Sequence, residues 1–311
     1  MMTESTVLLK IPTVLRLPSN RDESSVFGSC NLLWEQESLI VTHQRSKDRY
    51  HLPALQNDAW LRDCLRRSPV RKVYLNPAMD ESIIKAWADL CWATGKEIYL
   101  KVPYLSDLPQ TQRPGDWRLK RLVDWLTTLL LLILISPLMG LLAIWVRLDS
   151  PGPALFRQWR VGEGGRLFRI CKFRSMQVDA EARHQEVMGN QMGLHKLERD
   201  PRITRVGRWL RKLSLDELPQ LWNVLRGEMS LVGPRPWALY DAMRIPNELQ
   251  ERLNALPGIT GAWQVSTRSN ELDLYAVTCR DLGYLQSWNL LKDLRILLLT
   301  IPKVILGSGA C

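Results

Sequence analysis

The chain has 311 residues, of which 46% are hydrophobic, and this ordinary composition neither requires a membrane nor excludes one. The net charge is +10, and residues 1–110 hold 14 basic and 13 acidic residues, so nearly all of the basic excess follows residue 110. That asymmetry indicates an anionic partner such as a phosphate compound, an anionic lipid or a nucleic acid. The six cysteines stand far apart, without a C-x-x-C pair or a histidine cluster, which argues against a zinc site or a disulfide framework.

Residues 1–110 are predicted to form a soluble α/β module of regulatory or interaction type. Runs rich in β-branched residues predict strands at 6–11, 38–42, 70–75 and 97–102. Apolar spacing predicts a helix from Asp80 to Thr94, with Asp80 as its N-cap and Gly95 as its stop signal. The strand–helix–strand order indicates a βαβ unit, and the pattern faintly resembles a STAS-type regulatory domain. The polar, acidic amino terminus lacks the apolar stretch of a secretory signal, so a cytosolic environment is expected.

A linker and an apolar segment are predicted after this module. Residues 111–119 contain proline, glycine and polar side chains, which is typical of a linker. The segment 120–147 includes an uncharged run of 22 residues from Trp125 to Val146. That length is close to the roughly 20 residues that cross a bilayer as a helix.

The middle and the flanks of the run indicate how it meets the membrane. Pro137 removes a backbone hydrogen bond at the middle of the run, and Ser136 can satisfy a carbonyl that is freed there. Basic residues lie on both sides, whereas a spanning helix usually has its basic excess on the cytoplasmic side only. We therefore expect a re-entrant helical hairpin that turns at Ser136–Pro137 and keeps both ends on the cytoplasmic face. A kinked spanning helix is the alternative, because long loops can override the charge rule.

Residues 148–311 are basic and are predicted to form a mainly helical domain at the membrane surface. The segment 200–212 combines Trp209 and Leu210 with five basic residues, which is typical of an interfacial helix whose Trp and Leu enter the lipid. The apolar segment 290–306 carries four charges, so it is predicted to be a second interfacial or packing helix. The polar segment 178–192 is also predicted to be helical.

Two adjacent carboxylates, Asp216 and Glu217, stand before Pro219 with arginines on both sides. Such a pair suits phosphate chemistry, because carboxylates can bind a divalent cation or act as nucleophile while guanidinium groups fork onto phosphate oxygens. A structural alternative is a capping box from Ser214 to Glu217, but it places Pro219 past the turn that tolerates proline. If Asp216 is the N-cap, Pro219 falls in the first turn and both acids lie at the positive end of the helix dipole.

Four basic side chains are candidates for holding phosphate: Lys172, Arg174, Arg211 and Arg235. Lys172 and Arg174 alternate along a predicted strand, so both would face one phosphate, although a solvated strand face is the ordinary alternative. Arg235 stands between two prolines that restrict its backbone, which suits either a pre-positioned clamp or a purely structural turn. Arg211 lies just before the two carboxylates.

Six motifs occur in order: Lys120-Arg-x-x-Asp124, Phe156-x-Gln158-x-Arg160-x-Gly162, Lys172-Phe-Arg-Ser-Met176, Asp216-Glu-Leu-Pro-Gln220, Gly233-Pro-Arg-Pro236 and Pro257-Gly-Ile-Thr-Gly261. Together they resemble the bacterial sugar transferase family, the monotopic polyprenyl-phosphate phosphoglycosyl transferases that start exopolysaccharide or glycan assembly. The resemblance covers about residues 115–306. The module before it lacks the four-helix membrane bundle of the larger members.

The resemblance implies a two-step transfer at the cytoplasmic face of the bacterial inner membrane. Asp216 would attack the sugar-linked phosphate of a UDP-sugar and expel UMP, and a polyprenyl phosphate such as undecaprenyl phosphate would then take the phosphosugar from Asp216. Glu217 would bind Mg²⁺ together with Asp216 or act as base toward the lipid phosphate. The four basic side chains would hold phosphate oxygens, and Asp293 matches a further family position that is expected to contact substrate.

Two other classes of protein are compatible with a basic chain of this kind. A scaffold that holds anionic lipid on its basic surface would need neither the adjacent acids nor Mg²⁺. A nucleic-acid partner is not expected, because the chain lacks a helix-turn-helix, zinc or RNP pattern and has the apolar run. No motif is identified that would bind the hydroxyls of the hexose, so the sequence does not determine which sugar is transferred. It also does not determine the oligomeric state, for which a homo-oligomer is one option.

Overall fold

The computed structural model describes residues 25–43, 53–103, 108–180, 182–183, 186–187, 200–266 and 273–305. The predicted strand at 6–11 lies outside these residues, and so does much of the polar segment 178–192. Within the described part the protein is mixed, with many helices, three small sheets and one long apolar helix.

The amino-terminal module is built on a four-stranded sheet in the order β1-β2-β3-β4. Its strands are β1 Cys30–Glu35, β2 Ser38–His43, β3 Lys72–Leu75 and β4 Glu97–Leu100. β1 and β2 form an antiparallel hairpin, whereas β2, β3 and β4 run parallel to one another. Helix α1, Asp58–Arg67, precedes β3, and helix α2, Glu81–Thr94, joins β3 to β4. The predicted βαβ unit is confirmed as β3–α2–β4. Strand β1 and helix α1 are further elements for which the sequence analysis gave no bounds.

Helix α2 has the bounds that its sequence predicts. Asp80 is its N-cap, and Gly95 ends it in the left-handed region with φ 70°, where glycine carries no steric penalty. Ile84, Trp87 and Cys91 recur at helical spacing and are fully buried against the sheet and α1.

The predicted linker is largely helical. Residues Pro109–Gln112 form the short helix α3, and residues Pro114–Asp149 form the long helix α4. Each proline stands in the first turn of its helix, where its missing N–H would have no intrahelical partner in any case. The prolines that predict an irregular linker here start helices instead.

Helix α4 stays helical through its middle, so the turn expected at Ser136–Pro137 is not observed. Pro137 leaves the carbonyl oxygen of Ile133 without its backbone donor, and the Ser136 hydroxyl donates to that oxygen at 3.0 Å. The predicted rescue by Ser136 is therefore confirmed, and it helps the helix to continue across the proline.

Both ends of α4 contact the rest of the protein, while one side of its middle stays exposed. Lys120 and Asp124 are buried at the first end, and Val146 is buried at the second. Between them Leu134 is 73% exposed. Within the described residues, α4 is the one helix long and apolar enough to cross a membrane. Its 36 residues rise about 54 Å.

The carboxyl-terminal part surrounds two small sheets. Strands β5 Leu155–Val161 and β6 Leu167–Phe173 form an antiparallel hairpin, and β7 Ser230–Val232 pairs in parallel with β8 Gly258–Thr260. The helices around them are α5 Arg205–Lys212, α6 Leu221–Leu225, α7 Leu239–Ala242, α8 Ala262–Ser266, α9 Leu274–Gln286 and α10 Leu290–Ile305. Single 3-10 helices lie at Val26–Ser29, Pro53–Gln56, Glu163–Gly165, Leu215–Gln220 and Asn247–Asn254.

Helix α5 confirms a helix within 200–212, but its apolar face is covered by protein. Leu210 is fully buried with Val146 of α4 and Phe173 of β6, so the expectation that it enters the lipid is wrong. Trp209 is 42% exposed, and its ring lies 5.0 Å from that of Trp145 on α4. The exposed aromatic pair, and not the leucine, is available to a membrane.

The module and the carboxyl-terminal part share one hydrophobic core. Buried Val73 and Trp87 of the module belong to the same cluster as Trp159, Val161 and Trp237. At the turn between β5 and β6, Gly165 has φ 78° and lies so close to the Leu100 carbonyl that a Cβ would clash with it. The module is therefore packed directly against the β5–β6 hairpin.

Candidate functional site

The two adjacent carboxylates lie on the 3-10 helix Leu215–Gln220. Ser214 precedes it in the left-handed region with φ 54° and makes no side-chain cap, so the capping box is not formed. Asp216 lies inside the 3-10 helix and is not an N-cap, and Pro219 also lies inside it. The N-cap expected at Asp216 is wrong, whereas the absence of the capping box agrees with the argument from Pro219. Ser214 has a positive φ, a 3-10 turn follows it, and the α-helix begins only at Leu221.

Glu217 lies between two of the predicted phosphate-binding cations. Its Oε1 is 2.8 Å from Nζ of Lys172 and 3.6 Å from Nη1 of Arg235. Lys172 comes from β6 and Arg235 from the loop after β7, so two separate elements converge on the carboxylate. A small pocket opens here, lined by Lys172, Glu217, Arg235, Arg160, Ile170, Gln220, Pro236 and Ile259.

Asp216 is the more deeply buried carboxylate, with 8% of its surface exposed. Burial raises its pKa, and the negative charge of Glu217 raises it further, while Lys172, Arg211 and Arg235 act in the opposite direction. Arg211 is held in place by donating from Nε to the Ser175 hydroxyl at 2.8 Å. Three of the four predicted basic residues therefore surround the carboxylate pair.

Burial also acts on the cations of the site. It lowers the pKa of Lys172, and Glu217 opposes that shift. Because only 15% of its side chain is exposed, the Lys172 ammonium is largely desolvated, and it would attract an incoming phosphate oxygen more strongly than a solvated ammonium does.

The donor set of the pair suits a hard divalent cation. Mg²⁺ is typically held by one or two carboxylates together with substrate phosphate oxygens and water. Within the described residues, no group of three or more His, Cys, Asp or Glu side chains forms a complete metal cage. A metal here would need phosphate oxygens from a substrate, which agrees with a site for a diphosphate.

Arg174 is placed elsewhere, so the expectation that it faces a phosphate together with Lys172 is wrong. It follows the last residue of β6, and its guanidinium is buried at the carboxyl end of α4. Nη1 donates to the Pro151 carbonyl at 2.6 Å, and Nη2 donates to the Ser150 carbonyl at 2.6 Å. A cation is favourable at this negative end of a helix, so Arg174 anchors α4.

Asp293 is also occupied by partners inside the protein. Its Oδ2 is 2.6 Å from Nζ of Lys120, and its Oδ1 accepts from the Tyr284 hydroxyl at 2.6 Å. The Trp288 indole donates to Oδ2 at 3.2 Å. The expected substrate contact is replaced by a buried network that ties α10 to the start of α4.

Arg160 also lines the site, although its sequence context did not mark it as a phosphate-binding candidate. Nη2 donates to Gln158 Oε1 at 2.6 Å, Nη1 donates to the Pro236 carbonyl at 3.3 Å, and Nε is buried without a hydrogen-bond partner among the described residues. Gln158 and Arg160 stand two apart in the motif Phe156-x-Gln158-x-Arg160, and this strand spacing was the available signal. Arg160 also lowers the pKa of Asp241, which burial nevertheless raises to about 6.

Comparison with known proteins places residues 115–307 in register with the model of a family described as bacterial sugar transferase. The galactosyl transferase CpsE of Streptococcus agalactiae serotype III is 47% identical over 178 residues, which are 55% of this chain and 39% of that protein. The undecaprenyl-phosphate glucose phosphotransferase of Komagataeibacter xylinus is 41% identical over 224 residues, which are 67% of this chain and 40% of that protein.

A shorter relative is covered more fully. The UDP-glucose:undecaprenyl-phosphate glucose-1-phosphate transferase of Caulobacter vibrioides is 45% identical over 217 residues, which are 64% of this chain and 77% of that protein. The chain therefore spans about two fifths of the length of the first two relatives and three quarters of this one.

Proposed function

The chain belongs to the bacterial sugar transferase family, and from this premise we propose that it transfers a sugar 1-phosphate from a UDP-sugar to a polyprenyl phosphate such as undecaprenyl phosphate. The names of the relatives support this reaction, which would be the first membrane step of exopolysaccharide or glycan synthesis. The observation that carries the proposal is the buried Asp216 beside Glu217, surrounded by Lys172, Arg211 and Arg235.

In the first step, a carboxylate oxygen of Asp216 attacks the sugar-linked phosphorus of the donor. The bond from that phosphorus to the bridging oxygen breaks, and UMP leaves with the electron pair of that bond. The product on the enzyme is an acyl phosphate that joins Asp216 to the sugar phosphate. Lys172 and Arg235 bind phosphate oxygens and stabilise the charge that develops on them.

In the second step, a phosphate oxygen of the polyprenyl phosphate attacks the same phosphorus and releases Asp216 as a carboxylate. Glu217 takes a proton from the lipid phosphate when that group arrives protonated. Mg²⁺ bound by Asp216 and Glu217 would neutralise diphosphate charge as the leaving group forms. Arg211 stabilises the ionised form of Asp216, which is the form that attacks.

We further propose that the protein lies on the cytoplasmic face of the bacterial inner membrane without crossing it. The contacts at both ends of α4 support this, because a helix whose two ends touch the same protein body leaves that body on one side of the bilayer. Helix α10 adds an exposed apolar face at Leu291, Leu294 and Leu298. Such faces bury well among acyl chains at an interface.

The test measures the nucleotide that purified protein releases in detergent with Mg²⁺, polyprenyl phosphate and a panel of UDP-sugars. The panel includes UDP-glucose and UDP-galactose, because the relatives' names differ in hexose. We expect UMP, and we expect Asp216→Asn to lose turnover by at least about 10³-fold while it still binds membranes, since it removes the nucleophile. Glu37→Gln, which alters an exposed ion pair with Arg71, serves as the matched control and should keep full activity.

Each other outcome identifies a different failure. Release of UDP would show ordinary glycosyl transfer and exclude attack on the phosphorus. Retained turnover in Asp216→Asn would remove Asp216 as nucleophile. No release with any donor would favour a non-catalytic lipid-binding protein.

A further inference from the structure

One carboxylate of the amino-terminal module, that of Asp89, accepts hydrogen bonds from both strands of the β5–β6 hairpin. Asp89, on α2, accepts from Nε1 of Trp159 at 3.0 Å and from Nη2 of Arg169 at 2.5 Å. Trp159 on β5 and Arg169 on β6 are direct partners in the strand register. Asp89 therefore fixes the two strands at one rung of the hairpin.

The Arg169 guanidinium is held by aromatic faces as well. It lies 5.0 Å from the ring centre of Trp92 on α2 and 4.8 Å from that of Trp159. The two indoles meet edge to face, with ring centres 6.1 Å apart and planes at 79°, so the guanidinium lies beside the pair and not between parallel rings. Cation–π attraction to both rings restricts the guanidinium, and Asp89 adds a directed hydrogen bond.

The opposite face of the same hairpin lines the candidate active site. Successive side chains of a strand alternate between its faces, so Arg160 points away from the side of Trp159, and Lys172 points away from the side of Arg169. Arg160 and Lys172 both line the pocket at Glu217. A rotation of the hairpin about the Trp159–Arg169 pair, which Asp89 holds, would therefore move both cations relative to Asp216.

The hydrogen bonds of Asp89 are separate from the hydrophobic packing that holds the module against the hairpin. The shared hydrophobic core holds the module to the hairpin through buried side chains such as Val73 and Val161. The Asp89 side chain is 49% exposed at the rim of a cavity of about 240 Å³, which Glu81 and Lys85 also line. Removing the carboxylate should therefore loosen the hairpin without detaching the module.

We propose that Asp89 is a positioning residue, through which the amino-terminal module sets the affinity of the active site for the diphosphate of the sugar donor. It acts on Arg160 and Lys172 through the hairpin and touches no substrate itself. Because these cations hold a diphosphate only if the proposed function is right, the test needs a readout that is independent of turnover.

The kinetic arm measures UMP release at varied UDP-sugar for wild type, Asp89→Ala, Asp89→Asn and the control Glu37→Gln. We expect Asp89→Ala to raise KM about tenfold with kcat changed less than about twofold, since misplaced binding groups weaken donor binding most. Asp89→Asn keeps an oxygen that accepts from Trp159, so its KM should fall between the two. Glu37→Gln should match wild type.

The structural arm measures amide hydrogen exchange over residues 155–173 in the same proteins, which requires no activity. We expect faster exchange in Asp89→Ala than in wild type or Glu37→Gln, because the hairpin loses its anchor. Unchanged exchange, or an unchanged KM in an active Asp89→Ala protein, would overturn the positioning role. If wild type itself releases no nucleotide, faster exchange in Asp89→Ala would still support Asp89 as a structural anchor. It would overturn both the role of Asp89 in donor affinity and the proposed function.

Discussion

At the scale of single residues, the site is governed by the balance between burial and charge. Burial raises the pKa of Asp216 and Asp241 and lowers that of Lys172, so each group is less inclined to carry its charge than it is in water. Mutual attraction restores part of that charge. The adjacent arginines favour the ionised form of Asp216, which is the nucleophile in the proposed reaction.

Asp241 provides a test of this balance. Its pKa is raised from 3.8 to about 6, mainly by burial, and its Oδ1 has no hydrogen-bond partner among the described residues. A raised folded-state pKa contributes stability that is complete below about pH 4 and is lost as the pH rises through 6. The full shift corresponds to about 3 kcal/mol of unfolding free energy.

Asp241→Asn should remove this pH dependence. We expect the variant to be more stable than wild type at pH 7.5, by up to about 3 kcal/mol, and similar to it near pH 4. Urea unfolding in detergent at both pH values measures the difference. An equal difference at the two pH values would show that Asp241 does not titrate between them.

At the scale of elements, α4 is held by polar anchors at both ends, while one side of its middle packs on the body through residues such as Leu131, Ile135 and Met139. The first anchor is Lys120, which is buried between Asp124 at 3.5 Å and Asp293 at 2.6 Å. The second is Arg174, which donates to carbonyls at the helix end. These residues belong to motifs that suggested chemistry, but here they attach the apolar helix to the body.

Lys120→Met tests the first anchor. It leaves two buried carboxylates without their cation, which should lower the unfolding free energy by about 3 to 5 kcal/mol. Arg118→Met removes an exposed cation from the same helix and should change it by less than about 0.5 kcal/mol. Thermal unfolding of the two variants in detergent compares them. Equal melting temperatures would mean that Asp293 and Asp124 need no partner at Lys120.

At the scale of the whole molecule, the amino-terminal module, the β5–β6 hairpin and the long apolar helix α4 form one connected body. The module packs on the outer face of the hairpin, the carboxylate pair lies at its inner face, and α4 contacts the body at both ends. The proposed membrane topology predicts that the candidate site lies near the headgroup plane, where a lipid phosphate lies.

Accessibility labelling tests the proposed membrane topology. Cys64 and Cys279, which are exposed, and the carboxyl-terminal Cys311 are first replaced by serine, and a single cysteine is then introduced at Gly115, Leu134 or Leu155. A cysteine at Gly115 meets no neighbouring atoms. With an impermeant maleimide, we expect reaction at 115 and 155 only from the cytoplasmic side, and protection at 134 by lipid. Labelling of 115 and 155 from opposite sides would show a spanning helix.

Several features followed from the sequence alone because they depend on local chemistry. The period of apolar residues predicted α2 and its caps, and the adjacency of Asp216 and Glu217 predicted the carboxylate pair. The uncharged run predicted an apolar helical segment, but not that the helix would continue past Pro137. The period of apolar residues and the identity of adjacent residues are local properties of the sequence, so they can be recognised without knowing the fold.

Only the tertiary structure decided which distant side chains meet. Lys172 and Arg174 stand two apart, yet one lies at Glu217 and the other at the end of α4, because the strand ends between them. Asp89 reaches Arg169 across 80 positions. Such pairings depend on how separate elements pack and on which buried charges must be neutralised there, and no local pattern carries that information.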